Sequence, residues 1–446
     1  MAAFEPVRYA ALTDVGVKRS HNQDACAAQP AVDATGFAAQ GHVFVVADGM
    51  GGHAVGEKAS AKAARDIPFL YTKHARDGGV LPALRRAFQE ANSGIHEIGQ
   101  QNPEFRGLGT TSTALVLRPE GAWIGHVGDS RAYRIRQGRV EQLTFDHSWV
   151  WEIAKRQGVD PDELGDFKKN VIIRSLGPDR EVEVDIEGPY PVEPGDTFLL
   201  CSDGLTGVVT PQEVGAVVSA LPPDEAARFL VHLANLRGGP DNITVLIVQV
   251  PGGGENSSGA RSARPALLAR LWSAWNRRVH WSFTVLGGGV GLALLSLGLQ
   301  LGAVPGAAVL FSLAALLIVV GLGGLAVHMQ KEEPPGAGDV AADLAPRELH
   351  VYRSHDCGVT PEVLEKFTQL ESQLLEGMQA HNTPADYGAH AQLAKLAGAP
   401  GAKGEAVLPA FRARCRSILF LAEAFHKSRH KQELFRPSWT PPPYPQ

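Results

Sequence analysis

The sequence predicts an α+β chain in which helices cover β-sheets. Three observations carry that expectation. Short apolar runs of strand length recur along the first 250 residues, among them VFVVADGMGGH, IGHVGDSRAYRI, TFLLCSDGL and DNITVLIVQV. Long helical patterns are few. Turn signals join consecutive strands rather than strands to helices. Taken in order, Gly56–His74 begins helically and is interrupted at Pro68. Val80–Gln101 places Leu84, Phe88, Ile95 and Ile98 on one helical face. Residues 111–144 read as three strands, with turns at Pro119-Glu120-Gly121 and Gln137-Gly138. Residues 148–180 are polar and mixed, and read as a mobile insertion before a strand at Asp196–Cys201. A helix over Pro222–Leu236 precedes the last strand, Ile243–Val250.

At 446 residues the chain is too long for one compact domain. Its expected divisions are a first domain over 1–252, a basic linker over 253–280, a two-helix transmembrane hairpin over 281–329, a Pro/Gly linker over 330–346, a helical C-terminal region over 347–433 and a Pro-rich tail over 434–446. The hairpin rests on a composition shift. No Asp, Glu, Lys or Arg occurs between Arg278 and Lys331, and the apolar runs Phe283–Ala303 and Gly306–Val327 hold 21 and 22 residues. A helix of about 20 apolar residues spans a bilayer. A buried helical hairpin and a single tilted span are the alternatives. Arg261, Arg264, Arg270, Arg277 and Arg278 precede the first run, so the basic-side rule places both flanking regions in the cytoplasm, as a multi-pass membrane protein. In the C-terminal region Val363, Phe367, Leu370, Leu374 and Met378 recur at helical spacing, as do Phe411, Cys415, Ile418, Leu419, Ala422 and Phe425. A small helical bundle is the reading.

The net charge of −5 and the lack of a long basic face argue against nucleic acid as a partner. Cys26, Cys201, Cys357 and Cys415 are scattered, form no metal-ligand or redox pair, and fit a reducing compartment. The N-terminus MAAFEPVRYA has no apolar core of a signal peptide.

Four of the apolar runs end in, or begin with, an aspartate at a Gly-rich turn: Asp48, Asp129, Asp203 and Asp241. Buried carboxylates are costly unless compensated. They are suited to Mg²⁺ or Mn²⁺, which prefer oxygen ligands, keep several waters and need few carboxylates each. The ordered set Arg19…Asp24, D48-G-M-G-G-H53, G109-T-T, G128-D-S-R131, D146-H-S, S202-D-G-L205 and D241-N-I-T244 resembles the metal-dependent Ser/Thr protein phosphatases of type 2C, of the bacterial kind. The resemblance covers roughly residues 5–250.

The resemblance implies a central β-sandwich flanked by helices on both faces. It implies two Mn²⁺ or Mg²⁺ ions per site, with Asp48 bridging both, the Gly49 carbonyl on one, and Asp203 and Asp241 completing the pair. Asp129 shares a third, weaker ion with Asp203 in bacterial members, and Asp24 acts near the metals largely through water. Arg19 matches the substrate-phosphate arginine. Two departures stand out. Gln23 occupies a place where the family often has Glu, and Met50 stands where some members carry a proton-donating His. His53 is then the nearest proton donor in the sequence, or simply a loop histidine; His147 reads as structural. The implied activity is direct hydrolysis of phosphoserine and phosphothreonine on proteins, including Ser/Thr kinases or their substrates, at the cytoplasmic face of a membrane. The alternative is a catalytically weak phosphatase fold acting as a scaffold through its C-terminal helices.

Overall fold

The computed structural model describes residues 6–51, 55–101, 103–105, 107–164, 171–252, scattered positions between 292 and 315, 349–398 and 404–434. The chain divides into two compact units. One joins Met1–Gly253 to Pro346–Gln446; the other is Gly254–Ala345. The first unit holds both β-sheets.

The strands and helices run β1 (Arg8–Asp14), β2 (Asp24–Gln29), α1 (Ala34–Ala39), β3 (His42–Met50), α2 (Val55–Gly78), α3 (Val80–Gln101), β4 (Gly109–Thr110), β5 (Ser112–Arg118), β6 (Gly121–Val127), β7 (Arg131–Arg136), β8 (Arg139–Gln142), α4 (Trp149–Gln157), β9 (Asp185–Tyr190), β10 (Thr197–Cys201), α5 (Asp203–Thr206), α6 (Pro211–Ala220), α7 (Pro223–Leu236) and β11 (Ile243–Gln249). After the second unit come β12 (Arg353–Asp356), α8 (Pro361–Ala380), α9 (Tyr387–Leu396) and α10 (Val407–Leu434). One sheet has the order β1-β11-β10-β7-β8-β12 and the other β2-β3-β5-β6-β9, with β4 beside β3. All these pairings are antiparallel.

The continuous apolar runs follow from burial on both faces. In β3, Phe44 and Val46 point between the sheets, against Leu200, Leu246 and Val248. Val43, Val45 and Ala47 point outward and are covered by α2 and α3. Likewise Leu199, Cys201, Val245 and Ile247 face α6 and α7. The sandwich flanked by helices is therefore as the sequence implied. Helix α2 continues through Pro68. The missing backbone donor is outweighed by a face that buries Ile67 and Tyr71 completely.

The C-terminal helices also bury their periodic residues, but not as a bundle apart. Phe229 of α7 stacks on Phe367 of α8 (5.7 Å), which meets Phe411 of α10 edge-on (4.9 Å). Arg416 pairs with Glu225, and Arg412 donates to the Ala220 carbonyl. Glu371 of α8, buried, accepts from His390 Nε2 (2.8 Å), Arg414 and Ser417, tying the three helices together. Strand β12 extends the first sheet beyond β8.

The expected transmembrane hairpin over 281–329 is not supported. A span needs about 20 consecutive apolar helical residues, and among the described residues no helix is long and apolar enough to cross a membrane. The long described helices carry charge along their length, as with Lys58, Lys62, Arg65 and Asp66 in α2. The two-span membrane localisation, with its cytoplasmic-face assignment, falls with the hairpin. Most of 281–329 and all of the 434–446 tail after Leu434 lie outside the described residues.

Candidate active site

Antiparallel pairing explains why aspartates far apart in sequence meet. The start of β2 lies opposite the end of β3, so Asp24 and Asp48 are register partners. The end of β10 lies beside the start of β11, which brings Asp203, at the first turn of α5, next to Asp241. The turn between β6 and β7 carries Asp129. All five lie at one end of the sandwich, and Asp24 links its two sheets. Its Oδ2 accepts from Ser202 Oγ and Thr244 Oγ1, both at 2.7 Å.

The backbone around Asp48 is held firmly. Its N–H donates to Thr111 Oγ1 (2.9 Å), and its carbonyl accepts from Thr110 Oγ1 (2.9 Å) and Thr111 N (2.8 Å). Gly49 packs backbone to backbone. Its N–H donates to the Gln23 carbonyl (3.0 Å), and a Cβ here would stand 2.2 Å from the Gly56 carbonyl oxygen. A backbone oxygen cannot swing aside, so Gly49→Ala is expected to displace Asp48 and cut phosphatase turnover by roughly 10²-fold, a loss of the size that small misplacements at reacting groups produce. Wild-type kinetics in that variant would show the close approach to be dispensable. Gly204 is constrained in the same way, by the Asn242 carbonyl at 2.0 Å from its would-be Cβ.

Burial dominates the electrostatics. It pushes the Asp24 carboxyl up to about 7, against the lowering effect of Ser202 and Thr244 and with added repulsion from Asp203 and Asp241. Asp48 is driven well above the usual carboxylate range by burial, then by Asp24, Asp203, Asp129 and Asp241. Asp129 is raised in the same way by burial, then by Asp203 and Asp146, and Asp203 by burial and then Asp241. At Asp129 the Arg131 charge opposes the rise, and at Asp203 Arg131 and Arg19 do, but burial and the neighbouring carboxylates prevail.

Arg19 sits at the lip of the cleft, half exposed, with Nη2 2.7 Å from Asp241 Oδ2. Gln23 contributes backbone contacts, donating to Asn242 Oδ1 (2.8 Å) and accepting from Gly49 and Ser60. His53 lies outside the described residues. His147 is placed as a strut. Its Nδ1 accepts from Gly128 N (3.0 Å), which leaves Nε2–H to donate to Asp185 Oδ2 (3.1 Å). Asp146 is engaged through two N–H groups by Arg131 (2.8–3.0 Å). Sequence reasoning did not single out Ser202, Thr244 or Arg131 individually, although each falls inside a quoted motif. Arg353, which also lines the cleft, carried no sequence signal. The cleft has a volume of about 580 Å³ and is lined by Arg19, Asp129, Asp203 and Asp241 among others.

The residues present fit hard cations. The Oδ1 atoms of Asp24, Asp129 and Asp203 are buried without a hydrogen-bond partner, an arrangement that costs stability unless something positive fills it. Among the described residues no group of three or more His, Cys, Asp or Glu side chains is drawn together tightly enough to hold one ion unaided. Ions that keep most of their waters and take one or two carboxylates each do not require such a group.

A β-sandwich with a carboxylate-lined cleft and an arginine at its lip is suited to metal-assisted hydrolysis of a phosphate ester. Residues 17–232 match the family described as Protein phosphatase 2C. A putative protein phosphatase 2C-type of Streptococcus pyogenes serotype M6 is 35% identical over 240 residues, 53% of this chain and 94% of that protein. Protein phosphatase PhpP of Streptococcus pneumoniae is 37% identical over 243 residues, 54% of this chain and 96% of that protein. The crystal structure of the Mycobacterium tuberculosis serine/threonine phosphatase PstP/Ppp superposes with a TM-score of 0.50 at 32% identity, covering 55% of this chain and 100% of that one. The Streptococcus agalactiae serine/threonine phosphatase gives 0.50 at 33%, covering 55% and 99%. The chain belongs to the protein phosphatase 2C family and is a protein-serine/threonine phosphatase of phosphoproteins.

Proposed function

We propose that the chain hydrolyses phosphoserine and phosphothreonine esters directly, with no phosphorylated enzyme intermediate, on proteins that include Ser/Thr kinases or their substrates. The buried, partnerless carboxylate oxygens at one end of the sandwich carry this reading. Asp48, the Gly49 carbonyl, Asp203 and Asp241 would hold two Mn²⁺ or Mg²⁺ ions. Asp129 with Asp203 would hold a third more weakly, and Asp24 would act through water. When bound, such ions supply a water of lowered pKa for in-line attack and neutralise the phosphoryl oxygens.

The chain's own residues do the rest. Arg19 is free to turn its fork from Asp241 to the phosphoryl oxygens, since it is anchored by one contact and half exposed. The free Oδ1 of Asp24 orients water, while Ser202 and Thr244 fix its other oxygen. Thr110 and Thr111 keep Asp48 from shifting. His53 is our candidate to protonate the leaving seryl or threonyl oxygen.

The test is phosphate release from a phosphothreonine peptide by the full-length chain, in Mn²⁺ and in EDTA. Release that needs the metal supports the reading, and equal release in EDTA sinks it. In Arg19→Ala, KM for the peptide is expected to rise about 10- to 100-fold, the worth of a charge-assisted hydrogen bond or two.

A further inference from the structure

The C-terminal strand β12 is riveted to both sheets. It pairs with β8 from Arg353 opposite Gln142 to Asp356 opposite Arg139. Tyr352 N donates to the Gln142 carbonyl (3.0 Å), and Cys357 N to the Gly138 carbonyl (2.8 Å). Across the seam, Glu187 of β9 accepts from the Tyr352 hydroxyl and from His350 N (3.2 Å). A strand fixed this way holds its side chains in place.

One of them, Arg353, reaches into the cleft that contains Arg19, Asp129, Asp203 and Asp241. Its side chain is only 11% exposed. Nη2 donates to Asp160 Oδ1 (3.0 Å) and to Asp162, in the turn that follows α4. Its guanidinium lies 5.8 Å from the Trp151 ring, and that of Arg131 lies 5.6 Å from the same ring. Trp151 in turn meets Phe145 edge-on (5.1 Å), and Phe145 meets Tyr352 (5.7 Å). Helix α4 and the turn at Asp160–Asp162 are thereby clamped to a strand that follows the family-matched residues 17–232 by more than a hundred positions in sequence.

We propose that Arg353 is a positioning residue that fixes the α4–Asp162 segment as a wall of the substrate cleft, so that the C-terminal extension governs how the site accepts a phosphopeptide as opposed to a bare phosphate ester. This rests on the phosphatase reading of the cleft. A peptide must lie along the wall, whereas a small aryl phosphate occupies only the carboxylate end. Loss of the clamp acts on the first more than on the second.

The experiment compares kcat/KM for a phosphothreonine peptide and for p-nitrophenyl phosphate, in full-length protein with Mn²⁺. Metal-dependent turnover of the aryl phosphate by the wild type tests the underlying reading; if the wild type hydrolyses neither substrate, that reading and this inference fall together. In Arg353→Ala the peptide-to-aryl ratio is expected to fall about tenfold, through KM for the peptide rather than kcat. The double variant Asp160→Asn/Asp162→Asn should give the same fall. Asp160 is half-buried and Asp162 exposed, and Asn at 160 still caps the turn, so folding is preserved if Arg353→Ala proves unstable. A ratio within about twofold of wild type in the folded double variant, or an equal loss on both substrates, would overturn the proposal.

Discussion

Replacing Asp203 by Asn is expected to abolish metal-dependent phosphate release and, at the same time, to raise the melting temperature of the metal-free protein. The two effects have one cause. Asp203 is buried beside Asp241, its carboxyl is raised by burial and then by that neighbour, and its Oδ1 has no partner. Asparagine keeps the shape and removes the charge. Without the charge the cation end of the cleft loses a ligand, and kcat should drop by about 10³-fold or more. Without the charge the metal-free fold also loses a mutual repulsion. The pH dependence follows with a definite sign. A carboxyl whose folded pKa lies above its unfolded value stabilises the fold below the unfolded value and loses that contribution as pH rises through the folded one. Asp203 is such a carboxyl, raised by burial and then by Asp241. In EDTA, therefore, the advantage of Asp203→Asn over wild type should be present at neutral pH and shrink on acidification. In excess Mn²⁺ the order should reverse, because the ion binds the ionised carboxylates of the wild type. Thermal unfolding of both proteins across pH, with EDTA and with Mn²⁺, reads all of this. A variant that keeps its turnover, or that is no more stable than wild type in EDTA at neutral pH, would contradict the account.

The same electrostatic tension explains what was legible in the sequence. A strand covered on both faces must be apolar throughout, so VFVVA, TFLLC and ITVLIV were visible as strands, and a charge at the edge of each stood out. The motifs around Asp48, Asp129, Asp203 and Asp241 were visible for that reason. Strand β9, with the sequence DIEGPY, gave no strand signal of its own, because its turn residues and acids mask a register set by β6. Strand β12, RSHD, has no alternation at all. Its partner β8 lies some two hundred residues earlier, and nothing local signals such a pairing. Arg353 was invisible for the same reason. Its role comes from where the strand is fixed and not from its neighbours in sequence. The transmembrane expectation rested on charge-free composition, and among the described residues no helix is long and apolar enough to cross a membrane.

Phe411→Ala should be the most damaging substitution outside the cleft, and its damage should reach the active site. The ring is fully buried. It packs on Phe367, which stacks on Phe229 of α7, and α7 covers the sheet whose strands β10 and β11 lead to Asp203 and Asp241. Truncation to Ala removes the apolar contact and leaves a cavity, at a cost of about 3–5 kcal/mol. A typical domain has only about 5–15 kcal/mol to lose. Residues 346–446 and 1–253 form one compact unit, so this loss is expected to lower a single cooperative transition rather than melt a separate C-terminal bundle. The temperature at which phosphatase activity is lost should fall with it, by the same number of degrees. The full-length wild type and variant can be followed in parallel by circular dichroism and by phosphate release. Two resolved transitions, with only the lower one shifted by Phe411→Ala and the activity midpoint unmoved, would mean that the C-terminal helices melt independently. They would then lend the catalytic sandwich no stability, and the aromatic pile from α10 through α8 to α7 would have to be read as a contact that forms without coupling the two.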